Sequence, residues 1–314
     1  MPKRGSNFCR VALVSGRVRA WRDSGSFADV EGHRIYMTRR EGRGKTILLL
    51  HGYPSSSYDF RPLLDRLAGL RVVAFDFLGF GLSDKPRRHI YSLHGQADLA
   101  EAIAERLGGG PVWLVAHDMG TSVATELLAR SIEGRLRMKL AGVLLFNGSM
   151  VLEKANLTIA QRLLRSRFGP IAARLSSERV FRAQFSRIFS REHPLTNEDA
   201  EDAWALLSHH DGHRIIDRLT YYLHERVAFA ERWHGALRNW PGHLELAWAM
   251  RDPVCVPAVL DAVRELRPAA PVVRFPSLGH YPQIEAPAAV AEVVLGFAAR
   301  GARGRSIPST IARG

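Results

Sequence analysis

The stretch Pro111–Ala129, which reads PVWLVAHDMGTSVATELLA, constrains the fold more than any other part of this chain. It begins with a short apolar run, turns at a His-Asp-Met-Gly segment and continues with the apolar spacing of an amphipathic helix. Such a pattern predicts a strand, a tight turn and a helix. Two small residues, Ala116 and Gly120, lie two positions before and after Asp118, as a sharp strand-to-helix turn requires.

The aspartate at the centre of this turn has two interpretations. The turn lifts the side chain of Asp118 above the sheet, where the N-terminus of the next helix favours an anion. A carboxylate placed there can attack an sp3 carbon that carries a leaving group and form an ester. Aspartate is also a favoured N-cap residue, so the turn by itself leaves a purely structural role open.

The same alternation of strand and helix extends along most of the chain. Apolar runs of this length are typical of strands buried on both faces. A weak alternation over 18–37 predicts a β-hairpin in front of them. The pattern predicts the α/β class, with a mostly parallel sheet covered by helices. The predicted strands are 46–50, 72–77, 112–116, 140–146, 244–250 and 272–275, and the main helices are 58–67, 92–107, 256–266 and 287–299.

Residues 149–240 interrupt this alternation, because they contain several helical stretches and no convincing strand. We therefore predict an α/β core in two parts, 18–148 and 241–300, with a helical lid at 149–240. The last of the lid's predicted helices runs from about 213 to 238. Residues 1–17 and 301–314 are predicted to be flexible termini. A pocket is expected between lid and core, beside Asp118 and Tyr53.

Composition narrows the range of partners. The chain has 314 residues and a formal net charge of +13, and its arginines are scattered rather than clustered. No nucleic-acid motif accompanies them, so we predict no nucleic-acid partner. Two cysteines and the lack of a long apolar run predict a cytoplasmic protein without a disulfide framework, signal peptide or membrane span. The sequence does not indicate the oligomeric state.

Chemically notable residues follow four of the predicted strands. They are the His-Gly-Tyr-Pro segment at 51–54, Asp118, Asp252 and His280. The carboxyl ends of parallel strands are where active groups gather. Asp252 alone could be a turn residue before Pro253, and His280 is one of thirteen histidines. Their joint occurrence, in the order nucleophile, acid and histidine, is far more specific and is the order found in α/β-hydrolases.

On these motifs the chain resembles α/β-hydrolase fold proteins of the epoxide hydrolase and haloalkane dehalogenase branch. The insertion is most similar to the mesoderm-specific transcript subgroup, through DGHRIIDRL at 211–219 and RWHGAL at 232–237. The resemblance covers roughly residues 18–300, and it implies an eight-stranded sheet with the lid inserted after the sixth strand. The other matching segments are HGYP at 51–54, DFLGFGLSDKP at 76–86, AHDMG at 116–120, DP at 252–253 and GHYPQIE at 279–285.

The resemblance also implies a mechanism. Asp118 would form an alkyl-enzyme ester, and His280, oriented by Asp252, would activate the water that hydrolyses it. Backbone N–H groups of Tyr53 and Met119 would form the oxyanion hole. The expected reactants are a small apolar electrophile, in the first place an epoxide, and water. Neither a cofactor nor a metal is expected.

Three readings of the function stay open. In haloalkane dehalogenases a tryptophan usually follows the nucleophile, but here that residue is Met119, which has no donor. Epoxide hydrolases commonly use two lid tyrosines, and this insertion offers Tyr221 and Tyr222, of which we favour Tyr222. His234 lies near the position where relatives often have the second lid tyrosine. A non-catalytic binding protein on the same fold is the third reading.

A group of histidines and an aspartate near 210 raises the question of a metal site. Adjacent histidines rarely ligate one ion together, and no companion cluster accompanies them, so we predict no metal there. The group consists of His209, His210, Asp211 and His213.

Overall fold

The structure is a computed structural model that describes residues 15–300. Residues 1–14 and 301–314 lie outside the described residues, and with them most of the two termini predicted to be flexible. Eight strands form one sheet. The strands are β1 (Ser26–Val30), β2 (His33–Arg40), β3 (Thr46–Leu50), β4 (Arg71–Phe75), β5 (Val112–His117), β6 (Leu140–Phe146), β7 (Leu244–Ala249) and β8 (Val272–Phe275).

The strands lie side by side in the order β1-β2-β4-β3-β5-β6-β7-β8. The pairs β1–β2 and β2–β4 are antiparallel, and every later pair is parallel. In register, Leu50 of β3 lies beside Ala116 of β5, and His117 lies beside Phe146 of β6. The carboxyl ends of the three central strands therefore meet at one edge of the sheet, where the notable residues follow them.

Fourteen helices and several short 3-10 turns complete the described residues. Seven of these helices form an insertion between β6 and β7, so the predicted fold class, with helices inserted after the sixth strand, is confirmed. The core helices are α1 (Gly16–Ser24), α2 (Arg61–Leu64), α3 (Leu93–Glu105), α4 (Met119–Ile132), α12 (Pro257–Leu266), α13 (Pro282–Glu285) and α14 (Pro287–Arg300). The inserted helices are α5 (Ile159–Arg165), α6 (Gly169–Arg174), α7 (Glu178–Phe185), α8 (Asn197–Ser208), α9 (Ile216–Leu219), α10 (Tyr222–Ala228) and α11 (Ala230–Asn239).

Both faces of the sheet are covered by apolar side chains. In β3 every residue is buried, and alternate side chains enter different clusters. Leu48 and Leu50 pack with residues of α3 and α4, whereas Ile47 and Leu49 pack with residues of α2 and α14. This arrangement explains why the strands read as continuous apolar runs. Among the described residues, no helix is both long and apolar enough to cross a bilayer.

The predicted hairpin over 18–37 is wrong in its first part, which is the helix α1. The Ser15 side chain accepts a hydrogen bond from the Val18 N–H at 3.1 Å, which caps the helix. Val18 and Trp21, three residues apart, place their side chains in the core. The weak alternation over 18–24 therefore reflected one buried helical face. The rest of the predicted hairpin is confirmed, since β1 and β2 pair in it with a turn at Glu31 and Gly32.

The long helix predicted over about 213–238 is also wrong, because the structure divides this segment. The Thr220 hydroxyl donates to the carbonyl of Asp217 at 2.6 Å at the end of α9. Phe229 separates α10 from α11 with a φ of −111° and a ψ of 18°. Its ring lies against His94 of the core helix α3, with ring centroids 4.5 Å apart. Packing against the core overrides the helical pattern at this position.

A buried carboxylate ties the insertion to the core. Glu126 of α4 accepts hydrogen bonds from Arg232 Nε at 3.0 Å and from Trp233 Nε1 at 2.9 Å, both on α11. It also accepts one from Arg130 at 3.0 Å. Burial opposes the charge on Glu126, but these donors lower its pKa to about 2. The carboxylate therefore stays ionised at neutral pH and holds α11 against α4.

The turn after β5 depends on the glycine that follows it. A Cβ at Gly120 would lie 2.4 Å from the carbonyl oxygen of Leu50, so β3 and the start of α4 can approach only where this side chain is absent. We expect Gly120→Ala to lower the free energy of unfolding by about 1–3 kcal/mol, as overpacking does. Urea unfolding followed by circular dichroism measures the change.

Gly235 of α11 is the matched control, because nothing lies within 4 Å of the Cβ that an alanine would add there. Gly235→Ala should leave the free energy of unfolding unchanged or raise it by about 0.4–1 kcal/mol. Equal effects of the two substitutions would contradict the close approach at Gly120.

Candidate active site

Asp118 lies at the turn between β5 and α4 with its side chain buried. Its φ of 45° and ψ of −112° are outside the usual regions for a residue with a side chain, and such conformations are concentrated at functional sites. Its Oδ2 accepts a hydrogen bond from the Tyr53 N–H at 2.9 Å. Within the described chain its carboxylate makes no capping bond to α4, which argues against the purely structural role. The carboxylate instead faces the loop that follows β3.

The loop after β3 is shaped to bring a backbone donor to this carboxylate. The ring of His51 bonds at both nitrogens, with Nδ1 on the Gly52 carbonyl at 2.8 Å and Nε2 accepting from the Phe77 N–H at 3.0 Å. Burial lowers the pKa of His51 to about 3, so the ring stays neutral and keeps these two bonds. Gly52 allows the approach, since a Cβ there would lie 2.9 Å from Asp118 Oδ2.

The structure brings the other two predicted residues into contact. The Nδ1 of His280 lies 2.7 Å from Oδ2 of Asp252. Burial opposes the charge on Asp252, but His280 and the amides of Val254 and Cys255 hold its pKa below the usual value. Burial would likewise lower the pKa of His280, but Asp252 and then Asp118 raise it to about 9. At neutral pH the pair is therefore an imidazolium bound to a carboxylate.

Asn147, which directly follows β6, fixes the position of Asp252. Its Nδ2 donates to Asp252 Oδ2 at 2.8 Å and to the carbonyl of Ala249 at 3.1 Å. Its Oδ1 accepts from the Ala249 N–H at 2.8 Å. The sequence placed Asn147 at a strand end but did not give it this role.

His117 connects the turn at Asp118 with the loop of His280. Its Nε2 donates to the carbonyl of His280 at 2.7 Å, and its Nδ1 accepts from the Gln283 amide at 3.3 Å. Burial lowers the pKa of His117 to about 4, so the ring is neutral and can make both bonds. Sequence reasoning missed this contact, since the two loops are far apart along the chain.

Of the predicted insertion residues, the structure brings Tyr222 to the site. Its buried ring lies 5.5 Å from that of Tyr53, and its Oη accepts from Gln161 Nε2 at 3.1 Å. Tyr221 is 42% exposed and lies beside His224. The Nε2 of His234 is 3.1 Å from the carbonyl of Met150, which engages that nitrogen in the loop after β6.

Gln161 was not predicted, and its own position is set by a local motif. Its Oε1 accepts from the Thr158 N–H at 2.8 Å, while the Thr158 hydroxyl accepts from the Gln161 N–H at 3.1 Å. These reciprocal bonds form a capping box at the start of α5. The remaining amide group of Gln161 can then hold Tyr222 in place. A threonine followed three residues later by a glutamine is the sequence pattern that would have predicted this capping box.

Arg226 of α10 is the second unpredicted group, and its side chain is completely buried beside Asp118. Its Nη2 lies 3.9 Å from Oδ1 of Asp118 and donates to the backbone carbonyl of the same residue at 3.3 Å. Its Nε donates to the Ser122 hydroxyl at 2.8 Å, and Nη1 donates to that of Ser149. A buried charge needs such partners. The insertion thus supplies a cation to a carboxylate of the core.

The site is closed in this structure. Asp118 is 2% exposed, because Tyr222, Arg226 and the Tyr53 loop pack around it. The site expected beside Asp118 is therefore not open to solvent in this structure. A small cavity lies between insertion and core further along the interface, and its lining includes Asp59 and Phe185 but not Asp118.

Within residues 15–300, possible metal ligands converge at the His280–Asp252 pair. Among the described residues, atoms of Asp252, Cys255 and His280 lie within 4.8 Å of one another. Two of these side chains are already bonded to each other. Burial raises the pKa of the Cys255 thiol well above its usual value, which keeps it protonated and makes it a poor ligand.

Comparison with known proteins shows the family to which the chain belongs. The family model described as the alpha/beta hydrolase fold matches residues 45–287. The candidate hydrolase LipZ of Mycobacterium tuberculosis is 51% identical over 283 residues, which cover 90% of this chain and 98% of LipZ. The mesoderm-specific transcript homolog protein of Bos taurus is 34% identical over 296 residues, which cover 90% and 88%.

Among solved structures, haloalkane dehalogenase DbeA from Bradyrhizobium elkani superposes with a TM-score of 0.75. The two sequences are 22% identical, and the superposition covers 90% of this chain and 99% of DbeA. This similarity shows the fold alone. The similarity to mesoderm-specific transcript proteins, indicated by the insertion motifs, is confirmed. The family model matches more than half of the chain, and LipZ is 51% identical over 90% of it. The chain therefore belongs to the α/β-hydrolase fold family.

Proposed function

We propose that this protein is a hydrolase that uses Asp118 as its nucleophile on a small apolar electrophile, in the first place an epoxide. The observation that carries the proposal is the buried Asp118 carboxylate, which accepts a hydrogen bond from the Tyr53 N–H and makes no capping bond to α4. The His280–Asp252 pair also supports the proposal, because it supplies the base that would hydrolyse the ester. Residues 149–240 serve as the lid over a core formed by 18–148 and 241–300.

The two oxygens of Asp118 would have different roles. Oδ1 attacks the epoxide carbon, and the carbon–oxygen bond of the epoxide breaks as the ester forms. Oδ2 becomes the carbonyl oxygen of that ester and stays on the Tyr53 N–H, which is then in place to stabilise a tetrahedral oxyanion. Met119, at the first position of α4, supplies the second backbone donor. Arg226 is a positioning residue, since its cation balances the carboxylate before attack.

The leaving oxygen of an epoxide needs a proton, and Tyr222 is the best placed donor. Its bond from Gln161 uses a lone pair of the phenol oxygen and leaves the phenolic proton to be donated. The imidazolium of His280 replaces that proton, directly or through water, and becomes neutral. His280 then takes a proton from water, and hydroxide adds to the ester carbonyl. The acyl–oxygen bond breaks, and the departing diol oxygen takes the proton of the carboxylic acid formed at Asp118. Asp118 and His280 return to their charged forms.

Haloalkane dehalogenation by the same ester is the alternative. Two observations favour it: the solved structure DbeA is named a haloalkane dehalogenase, and the Nη2 of Arg226 lies 3.9 Å from Oδ1 of Asp118. A halide ion needs donors, and Met119 offers no side-chain donor. A non-catalytic binding role on the same fold is the third reading, and it predicts no ester.

The first test is the covalent intermediate. Attack does not need a base, whereas hydrolysis does, so His280→Gln should accumulate the ester. Intact mass after incubation with an epoxide should rise by the mass of the substrate, and peptide mapping should locate the addition at Asp118. Asp118→Asn in the same background is the control and should remain unmodified.

Isotope labelling gives an independent result with the unaltered protein. A single turnover in heavy-oxygen water should label Asp118, because water attacks the ester carbonyl and leaves its oxygen on the enzyme. Label in the product with an unlabelled Asp118 would mean direct attack of water on substrate, and the nucleophile assignment would be wrong.

A pair of adjacent tyrosines separates the epoxide and haloalkane readings. With an epoxide, Tyr222→Phe should slow ester formation by about 10²–10⁴-fold, the usual contribution of a general acid. With a haloalkane it should change the rate little, because a halide leaves without a proton. Tyr221→Phe is the matched control and should match the wild type, since Tyr221 is half-exposed. Rapid-quench kinetics measure each step, and equal rates for both variants on an epoxide would exclude Tyr222 as the acid.

The pKa that governs ester hydrolysis should lie below that of His280 in the free protein. Burial lowers the pKa of His280, and Asp252 and Asp118 together raise it to about 9. Ester formation removes the charge of Asp118, so the imidazole loses its proton more readily. The decay rate of a preformed ester should rise with pH and level off below about 9. An NMR titration of His280 in the free protein gives the reference, and a hydrolysis pKa equal to or above it would contradict the scheme.

A further inference from the structure

Exposed apolar side chains are concentrated on the outer side of the first three inserted helices. Of the thirteen large hydrophobic residues that are exposed among the described residues, six lie within 159–180. Ile159 is 79% and Leu175 is 74% exposed. Single exposed apolar residues are normal on a protein surface, but a cluster of them marks an interaction site. We call this surface the lid face; it consists of Ile159, Leu163, Phe168, Ile171, Leu175 and Val180.

Helical spacing brings these residues together. Ile159 and Leu163 are four residues apart on α5, and Ile171 and Leu175 have the same spacing at α6, so each pair shares one helical face. The two helices touch closely, because a Cβ at Gly169 would lie 2.1 Å from the carbonyl oxygen of Leu164. The outward faces of α5 and α6 therefore belong to one surface.

The lid face is embedded in unneutralised positive charge. Residues 159–187 contain seven arginines and a single acidic residue, Glu178. In the described part of the chain, Arg182 is the one arginine of this segment with a carboxylate within 4.0 Å. Elsewhere in the described chain about half of the arginines have such a carboxylate, and Arg130 and Arg232 each contact two or more. The exposed arginines of the segment are 162, 167, 174, 179 and 187.

This combination of apolar and cationic groups fits one partner best. An anionic bilayer surface takes apolar side chains to a depth of about 5–10 Å and offers phosphates to arginines at the same level. A second copy of the chain fits poorly, because a two-fold contact would place the arginines of one lid face against those of the other. A hydrophobic partner protein would leave the arginines without counter-charges.

We propose that the lid face binds the surface of an anionic phospholipid membrane, from which the protein takes its apolar substrate. The proposal rests on the proposed function for the nature of that substrate. Helix α5 connects the surface with the site, because Ile159 and Leu163 point outward while Gln161 points inward and holds Tyr222. Membrane contact at α5 thus acts on the helix that positions the proton donor of a closed site.

Vesicle co-sedimentation of the full chain tests this proposal. Wild type should bind vesicles of phosphatidylglycerol and phosphatidylcholine at least tenfold more tightly than vesicles of phosphatidylcholine alone, and salt should weaken the binding. The double variant Ile159→Ser/Leu175→Ser should lose at least tenfold in affinity, as should Arg162→Glu/Arg174→Glu. These side chains are exposed, so the variants should fold, and circular dichroism checks this.

Matched controls alter the same residue types elsewhere on the surface. Ile90 is 71% exposed but lies outside the lid face, and Arg264 is an exposed arginine of α12. Ile90→Ser and Arg264→Glu should bind vesicles like wild type. Equal binding by lid-face and control variants, or no preference for anionic vesicles, would overturn the proposal. Binding of polyglutamate to the lid face without binding to vesicles would assign the surface to an acidic polypeptide instead.

Failure of this proposal can be told apart from failure of the proposed chemistry. Vesicle binding needs no turnover, so Asp118→Asn should bind anionic vesicles as tightly as wild type. If Asp118→Asn binds but His280→Gln forms no ester, the membrane surface stands and the nucleophile assignment falls. If the ester forms but the protein does not bind anionic vesicles, the proposed chemistry is supported and the membrane-binding proposal is wrong.

Discussion

The hydrogen bond from the Tyr53 N–H to the Asp118 carboxylate is the contact on which the arrangement of the site depends. It joins the loop after β3 to the turn after β5, and neither loop could approach so closely with a side chain at Gly52 or Gly120. Gly120 therefore allows a close approach of two backbones, and Gly52 allows a close approach of the loop to the Asp118 side chain. The neutral ring of His51 completes the loop by bonding to the backbone on both sides.

Around that contact the charges of the site balance. Asp118 and Asp252 are buried carboxylates, and His280 and Arg226 are the buried cations beside them. Charges in a low-dielectric interior are tolerated when they are paired and hydrogen-bonded. Alkylation of Asp118 would remove one negative charge and leave the site with an excess of positive charge. Release of the His280 proton would restore the balance, so the order of the two chemical steps follows from electrostatics.

The sequence predicted the α/β core well because its signals there are local. Buried strands such as 46–50 and 140–146 read as apolar runs, and the structure has strands at the same residues. The first part of the hairpin predicted over 18–37 was wrong, because a helix with one buried face and a weakly alternating strand look alike over so few residues. The long helix near 213–238 failed because a packing contact of Phe229 with the core, invisible in the local pattern, divides it.

The site was predictable to the extent that strand ends mark it. Asp118, Asp252 and His280 each follow a strand, so topology alone was enough to expect them at one edge. Arg226 and Gln161 lie on inserted helices, whose placement over the sheet no local pattern gives. Their partners are remote: Ser122 lies 104 residues before Arg226, and Gln161 lies 61 residues before Tyr222. Such contacts are known only once the insertion is seen folded against the core.

The burial of Arg226 has a consequence for how this chain can be altered. An insertion that covers a site only sterically could be exchanged for that of a relative. Here the insertion also carries the cation that balances Asp118 and ties down its backbone carbonyl. A chimera with a foreign segment at 149–240 would leave that carboxylate buried without its counter-charge. The two parts of the molecule are therefore constrained to change together, and Arg226 with Ser122 is the first pair to preserve in any graft.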